Sequence, residues 1–202
     1  MVNYDKVLEG HESYEGKSGW CETLSTKVAD DIRELHRMIK KERAESLMTV
    51  GVKNGEYIVS EKEKSYGGEI SLDKTRDNIL KMQNDGVEST VSIHTHPDIK
   101  RQRDLGLSLD DLFAHVAMSQ IYTSYRGTYV VDRYNGGLSI LGVEAKLPGK
   151  YGVETWENVQ KLSEKYNDTE GLPVNPSKIH SDLVNEIDRQ SSWCSEFIEY
   201  LG

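Results

Sequence analysis

The side chains that could do chemistry are concentrated between residues 91 and 111. His94 and His96 stand two positions apart in a β-prone run that ends near Pro97, a residue that cannot donate a hydrogen bond to a sheet. Because side chains alternate along a strand, both imidazoles are expected on one face, with Thr95 on the other. Two imidazoles on one face can share an ion, so this segment predicts a metal site.

A carboxylate follows at the start of a predicted helix. Ser108 precedes an apolar pattern with helical spacing and suits the N-cap, which places Asp111 in the first turn. Asp111 could supply a third ligand, and two imidazoles with one carboxylate leave a position for water at a catalytic zinc. The same Ser-x-x-acid pattern is also a helix capping box, which needs no metal. The residues alone leave both interpretations open.

The order of these motifs resembles that of the JAMM (MPN-plus, JAB-domain) zinc metalloproteases. That family has an upstream glutamate, then His-Ser/Thr-His-Pro, then Ser-x-x-Asp, and here the last two stand as HTHP and SLDD. The resemblance implies one zinc ion per chain held by His94, His96 and Asp111, with Ser108 helping to hold the oxyanion. It also implies a cytidine-deaminase-like core.

A glutamate acts as the general base in the resembled family, at the start of the strand that follows a helix. Glu45 fits that position best and Glu42 is the alternative, while a solvent-facing charge remains the structural interpretation of either. The interval between the two motifs is four residues longer than the family's common pattern. The insert carries three cations, Lys100, Arg101 and Arg103.

The rest of the chain predicts the scaffold. Helical spacing is present over residues 25–41, 73–86, 155–166 and 177–200, and β-hairpins are indicated around the turns at 53–55 and 134–137. Residues 61–64 are expected to form a solvated turn. These elements predict an α/β protein of the α+β type, with a central mixed sheet flanked by helices. The expected divisions are a lead-in (1–23), a JAMM/MPN-like domain (24–147) and a C-terminal helical extension (148–202).

Two further histidines lie in predicted helices. His36 is expected to be a packing or surface residue because no partner motif accompanies it. His115 follows Asp111 by four positions and would share its helix face, either as a group that supports the metal site or as a packed histidine.

Composition narrows the setting. The net charge of -9 over 202 residues and the pI near 5.2 argue against non-specific binding to nucleic acid or anionic membranes. No apolar run has the length of a membrane span and the first residues do not resemble a signal peptide, so a cytoplasmic protein is expected. Cys21 and Cys194 are isolated, and free thiols are expected.

Three functions are compatible with these observations. The first is zinc-dependent hydrolysis of a peptide or isopeptide bond in a protein substrate, including one that carries a ubiquitin-like modifier. The second is a non-catalytic scaffold or protein-binding module of the MPN type. The third is a metal-dependent hydrolase of another bond, such as a phosphodiester, which the cations of the insert would favour. Each of these functions is compatible with a monomer or an oligomer.

Overall fold

The computed structural model describes residues 19–39, 44–66, 72–95, 106–134, 137–146, 150–167 and 175–199. Within these ranges the helices are α1 (Gly19–Thr26), α2 (Ala29–Ile39), α3 (Leu72–Asn84), α4 (Leu109–Ile121), α5 (Val153–Asn167) and α6 (Pro176–Asp188). The strands are β1 (Ala44–Lys53), β2 (Glu56–Val59), β3 (Glu63–Tyr66), β4 (Ser89–Thr95), β5 (Tyr125–Tyr134), β6 (Gly137–Ala145) and β7 (Ser191–Glu199).

All of these strands belong to one seven-stranded sheet. Six follow the order β2-β1-β4-β5-β6-β7, and β3 pairs with β1 beyond the end of β2. β4 and β5 run parallel, whereas the other pairs are antiparallel. A parallel pair needs a long crossover, and α4 lies in it. The predicted α+β fold, a mixed sheet flanked by helices, is confirmed.

Helices cover both faces of the sheet. On the face that we name the α2 face, Leu35 of α2 packs with Met48 of β1 and Ile93 of β4 in one buried cluster that also includes residues of α1. On the opposite face, named the α4 face, Leu112 of α4 packs with Val130 of β5 and with α5 and α6. α3 joins the α4 face through a smaller cluster of Ile79, Met118, Tyr122 and Tyr125.

Local signals account for most of these elements. At the β1–β2 turn Asn54 and Gly55 have φ angles of 53° and 79°, the positive values that a tight type I′ hairpin requires. The predicted hairpin strands β5 and β6 and the helices α2, α3, α4 and α5 are confirmed, with ends shifted by a few residues. None of the helices in the described ranges has both the length and the apolar character needed to cross a membrane.

Two segments differ from their predicted irregular structure. The sequence predicts a loose lead-in up to residue 23, but residues 19–23 form part of α1, where Trp20 and Cys21 are buried. The sequence predicts a solvated turn at Glu63 and Lys64, but these residues begin β3, in which Glu63 pairs with Leu47. Strand pairing at this position uses the backbone, so the charged side chains could stay outside and gave no apolar signal.

The prediction of a helix over residues 177–200 is wrong in its second half. α6 ends at Asp188 and Ser191–Glu199 forms β7, which pairs antiparallel with β6 along its whole length. Residues 191–199 are thus an integral strand of the same sheet rather than part of a helical extension. Trp193 and Phe197 are four positions apart, and a spacing of four satisfies both a helical face and an alternating strand.

The expectation of two free thiols is also wrong. Cys21 in α1 and Cys194 in β7 form a disulfide, with their Cα atoms 5.5 Å apart and a sequence separation of 173. Both residues belong to the buried cluster on the α2 face. Their pairing depends on α1 lying against β7, a long-range contact that no local spacing could reveal.

Candidate metal site

β4 presents His94 on the α4 face and Thr95 on the α2 face, as the alternation predicted. Thr95 Oγ1 accepts a hydrogen bond from the Ser46 amide at 3.0 Å and lies 2.8 Å from the Ser46 hydroxyl. That hydroxyl donates to the Leu35 carbonyl at 3.0 Å, so Thr95 must donate to Ser46 Oγ. The end of β4, where His94 is carried, is thus tied to β1 and α2.

The start of α4 holds Ser108 and Asp111 in the predicted capping box. Ser108 Oγ accepts from the Asp111 amide at 3.1 Å, and Asp111 Oδ2 accepts from the Ser108 amide at 2.7 Å. One carboxylate oxygen is thereby held by the turn. The capping box is therefore confirmed. It uses Oδ2 of Asp111, and by holding that oxygen it also fixes the direction in which Oδ1 points.

Asp111 Oδ1 meets His94 on the α4 face. His94 Nε2 lies 3.1 Å from it, and both side chains are largely buried. Two ligand atoms that share a tetrahedral zinc with bonds of about 2.0–2.1 Å are roughly 3.3 Å apart. The spacing of this pair therefore fits one zinc ion, which histidine nitrogens and carboxylate oxygens commonly bind.

The third predicted ligand, His96, lies outside the described residues, as do the insert cations Lys100, Arg101 and Arg103. Among the residues that the structure describes, no group of three or more His, Cys, Asp or Glu side chains is arranged to hold a metal ion. The structure therefore brings together His94 and Asp111, and the completed ligand set remains a prediction.

The predicted base, Glu45, lies on the α4 face. Leu47 of β1 pairs directly with His94, and Glu45 precedes Leu47 by two positions, so its side chain leaves the same face of the sheet. The strand rise places it about 7 Å along β1 from that pair. Glu45 is partly exposed and pairs with Ser65 of β3. The alternative base, Glu42, lies outside the described residues.

The turn that leads into α4 is held by residues that sequence reasoning missed. Asp132 of β5, a buried carboxylate, accepts from the Gly106 amide through Oδ2 at 3.2 Å. His180 of α6 contacts the Leu107 carbonyl through Nε2 at 3.1 Å. An acidic residue at the end of an apolar β run was a usable signal for Asp132, whereas nothing in the local pattern around His180 indicated its contact.

Next to His94 on the α4 face, β4 and β5 carry hydroxyl side chains. Ser92, two positions before His94, donates to Thr128 Oγ1 at 3.1 Å and lies 3.3 Å from the Tyr125 hydroxyl. Burial raises the pKa of Tyr125, and the negative charge of Asp111 raises it further. Tyr125 therefore stays protonated beside Asp111 at neutral pH.

His115 and His36, the two histidines in predicted helices, are both buried in the fold. His115 is completely buried, and Nε2 lies 2.7 Å from the Tyr151 hydroxyl. Burial lowers its pKa to about 3. His36 is buried in α2, which covers the opposite face of the sheet from His94. The packing interpretation is supported for both residues.

Comparison with protein-family models gives no match for this chain. Comparison with curated proteins likewise gives no significant match. The class that the observations define is thus a structural one, an α+β protein with a mixed sheet and a His–Asp pair at the junction of β4 and α4.

Proposed function

We propose that the protein is a zinc-dependent peptidase or isopeptidase of the JAMM type. The single observation that carries the proposal is the 3.1 Å approach of His94 Nε2 to Asp111 Oδ1. These two residues come from a strand and a helix and are separated by an insert, yet they meet in a spacing suited to one ion. Glu45 on the same face supplies a carboxylate of the kind that the reaction needs.

The proposed ligands are His94, His96 and Asp111, with one zinc ion per chain. When bound, zinc would supply a water of pKa near 7 and polarise the carbonyl group under attack. Glu45 would accept the proton from that water and pass it to the leaving amine. The proton of Ser108 is not used in the capping box, in which its oxygen accepts, so this hydroxyl can donate to the developing oxyanion. Removal of such donors costs roughly 2.7–4 kcal/mol.

The proposed substrate is a protein, foremost one joined through a lysine side chain to a ubiquitin-like modifier. This part of the proposal rests on the resemblance of the HTHP and SLDD motifs alone. The proposal includes neither nucleic acid nor membrane among the partners, in keeping with the net charge of -9.

Metal content tests the proposal first. We expect elemental analysis to find one zinc per wild-type chain, and a loss of most of that zinc in His94→Gln, His96→Gln and Asp111→Asn. Asp110→Asn is the matched control, because Asp110 is an exposed acid in the same turn of α4. A folded wild type that takes up no zinc when it is offered would overturn the enzyme proposal and favour the non-catalytic scaffold.

Activity tests the base and the substrate class. On an isopeptide-linked substrate we expect Glu45→Gln to keep its zinc and to lose at least about 100-fold in kcat. Glu42→Gln is the comparison variant. Loss in that variant alone would move the role to Glu42. Cleavage of a phosphodiester substrate, with the isopeptide substrate left intact, would instead favour a metal-dependent hydrolase that acts on phosphodiester bonds.

The predicted cytoplasmic location conflicts with the chemistry of the two cysteines. Disulfides persist in oxidising compartments and are rare in the reducing cytosol. The Cys21–Cys194 disulfide therefore favours an oxidising compartment. Trapping of thiols in intact cells, followed by mass spectrometry, would decide: a fully alkylated pair would restore the cytoplasmic prediction.

A further inference from the structure

The turn of residues 106–108, which we name the α4 entry turn, joins the predicted insert to the helix that carries Asp111. Gly106 adopts a φ of 115°, a value that residues with a Cβ rarely adopt. Its amide donates to Asp132 Oδ2 of β5 at 3.2 Å, and both residues are buried. This bond fixes the turn against the strand that runs parallel to β4.

α6 holds the same turn from the other side. The Leu107 carbonyl can only accept a hydrogen bond, so His180 must carry a proton on Nε2 and donate it over 3.1 Å. Ile179, next to His180, is buried in the same cluster as Leu107 and Leu112. Apolar packing thus places α6 against the turn, and the hydrogen bond from His180 fixes the orientation of the turn relative to α6.

We propose that Asp132 and His180 are positioning residues that fix the α4 entry turn, and through it Ser108 and Asp111, at a set distance from His94. Three consecutive residues of the turn are each held by a hydrogen bond. Asp132 holds Gly106, His180 holds Leu107, and the capping box holds Ser108 to Asp111. With β4 tied to β1 through Thr95, both halves of the His–Asp pair are held by hydrogen bonds from outside the pair.

Where it concerns zinc affinity, the inference rests on the proposed function, in which His94 and Asp111 are zinc ligands. It also gives the C-terminal part of the chain a role in that site. Groups that orient metal ligands typically change metal affinity by about 10- to 100-fold when removed. Their loss need not unfold the protein, because α6 keeps the buried apolar contacts of Ile179, Leu183 and Ile187.

The test compares His180→Ala with His180→Gln and Asn175→Ala. Glutamine can place an amide donor near the position of Nε2 and should restore wild-type behaviour. Asn175 caps α6 by accepting from the Lys178 amide at 3.3 Å, so its loss weakens the helix without touching the turn. Asp132→Ala and Asp132→Asn form a second pair, in which asparagine keeps an acceptor for Gly106.

Two measurements are made on each full-length variant. Amide hydrogen exchange of residues 106–112 is recorded on metal-free protein, and zinc affinity is measured by competition with a chromophoric chelator. We expect His180→Ala and Asp132→Ala to exchange faster in this segment and to bind zinc about 10- to 100-fold more weakly. His180→Gln and Asn175→Ala should resemble the wild type in both measurements.

With a wild type that binds zinc, the proposal is overturned if the alanine variants match it in either measurement, or if Asn175→Ala reproduces both losses. A wild type that binds no zinc would defeat the proposed function. The exchange data alone would then decide whether Asp132 and His180 hold the turn. Should His180→Ala fail to fold, the Asp132 pair carries the same comparison.

Discussion

The hydrogen bonds around His115 run in one direction. Ser191 Oγ donates to the Ile187 carbonyl at 2.8 Å, so it must accept from the Tyr151 hydroxyl, which lies 2.8 Å away. Tyr151 has then used its only proton and must accept from His115 Nε2 at 2.7 Å. His115 Nε2 therefore carries a proton, and because burial lowers the pKa of the ring to about 3, His115 is neutral at pH 7. This chain of bonds joins α4 to β7 through the segment before α5.

Neutral burial of His115 predicts a loss of stability in acid. Its pKa is about 3 in the folded state, against 6.5 for an ordinary histidine. Between these values the unfolded chain binds a proton that the folded chain does not, so stability falls as the pH falls from 6.5 towards 3. From pH 7 to pH 5 this contribution is about 2 kcal/mol. Urea denaturation at a series of pH values should show that His115→Gln lacks it.

Tyr151→Phe is the control for this prediction. Phenylalanine removes the acceptor for His115 Nε2 but leaves the buried imidazole, so the variant should be less stable while it keeps the acid sensitivity. Equal pH dependence in the wild type and in His115→Gln would contradict the assignment.

Single residues differed in how far the sequence could predict their roles. The sequence predicts that His94 and Asp111 lie close together, because one stands at a strand end and the other at a helix start, and the structure places them 3.1 Å apart. His180 contacts, through Nε2, a backbone carbonyl 73 positions away. That contact depends on how α6 packs, which residue types and local spacing do not encode.

At the scale of elements, close approach between β5 and β6 depends on a glycine. Gly142 pairs with Tyr129, and the phenol ring lies where a Cβ on Gly142 would be. Tyr129 is itself completely buried, so the ring could make room for a Cβ only by displacing its neighbours or by shifting the strand. The register of these two strands is thus coupled to the absence of a side chain at position 142.

Gly142→Ala should therefore destabilise the protein by about 1–3 kcal/mol, the usual cost of overpacking a core. Chemical denaturation would measure the change. Gly152→Ala is the matched control, because its new Cβ would meet nothing closer than the Gln190 side chain at 3.4 Å, an ordinary contact. A Gly142→Ala variant as stable as Gly152→Ala would show that the ring can shift.

Elements were predictable where local pattern and tertiary environment agree. The hairpin turn at Asn54 and Gly55 and the cap at Ser108 are set by a few neighbouring residues, and both are confirmed. β7 could not be predicted from its own sequence, because a spacing of four between Trp193 and Phe197 fits a helix and a strand equally well. Its strand conformation depends on pairing with the edge of β6. β3 is similar, because a charged strand owes its existence to the exposed backbone of β1.

For the whole molecule, the disulfide joins the first described helix to the last strand. A cross-link over 173 positions restricts the unfolded chain strongly, and the chain-entropy account gives about 5 kcal/mol for loops of this size. Reduction should lower the free energy of unfolding by about 2–5 kcal/mol in urea denaturation with and without reductant.

The Cys21→Ala/Cys194→Ala double variant should show that lower stability under both conditions and no response to the reductant. Two alkylated cysteines in unreduced, unfolded protein would contradict the cross-link itself.

The same bond determines how the protein would respond to mechanical force. Tension applied to the chain outside the Cys21–Cys194 pair passes through the two sulfur atoms, because their Cα atoms are 5.5 Å apart and covalently linked. Residues 195–199 of β7 lie outside the pair and can be pulled from β6, but the chain between the two cysteines cannot be extended while they are linked. In single-molecule extension, reduction should release roughly 600 Å of hidden contour length, since 173 positions extend by about 3.5 Å each. The oxidised protein should show no such step.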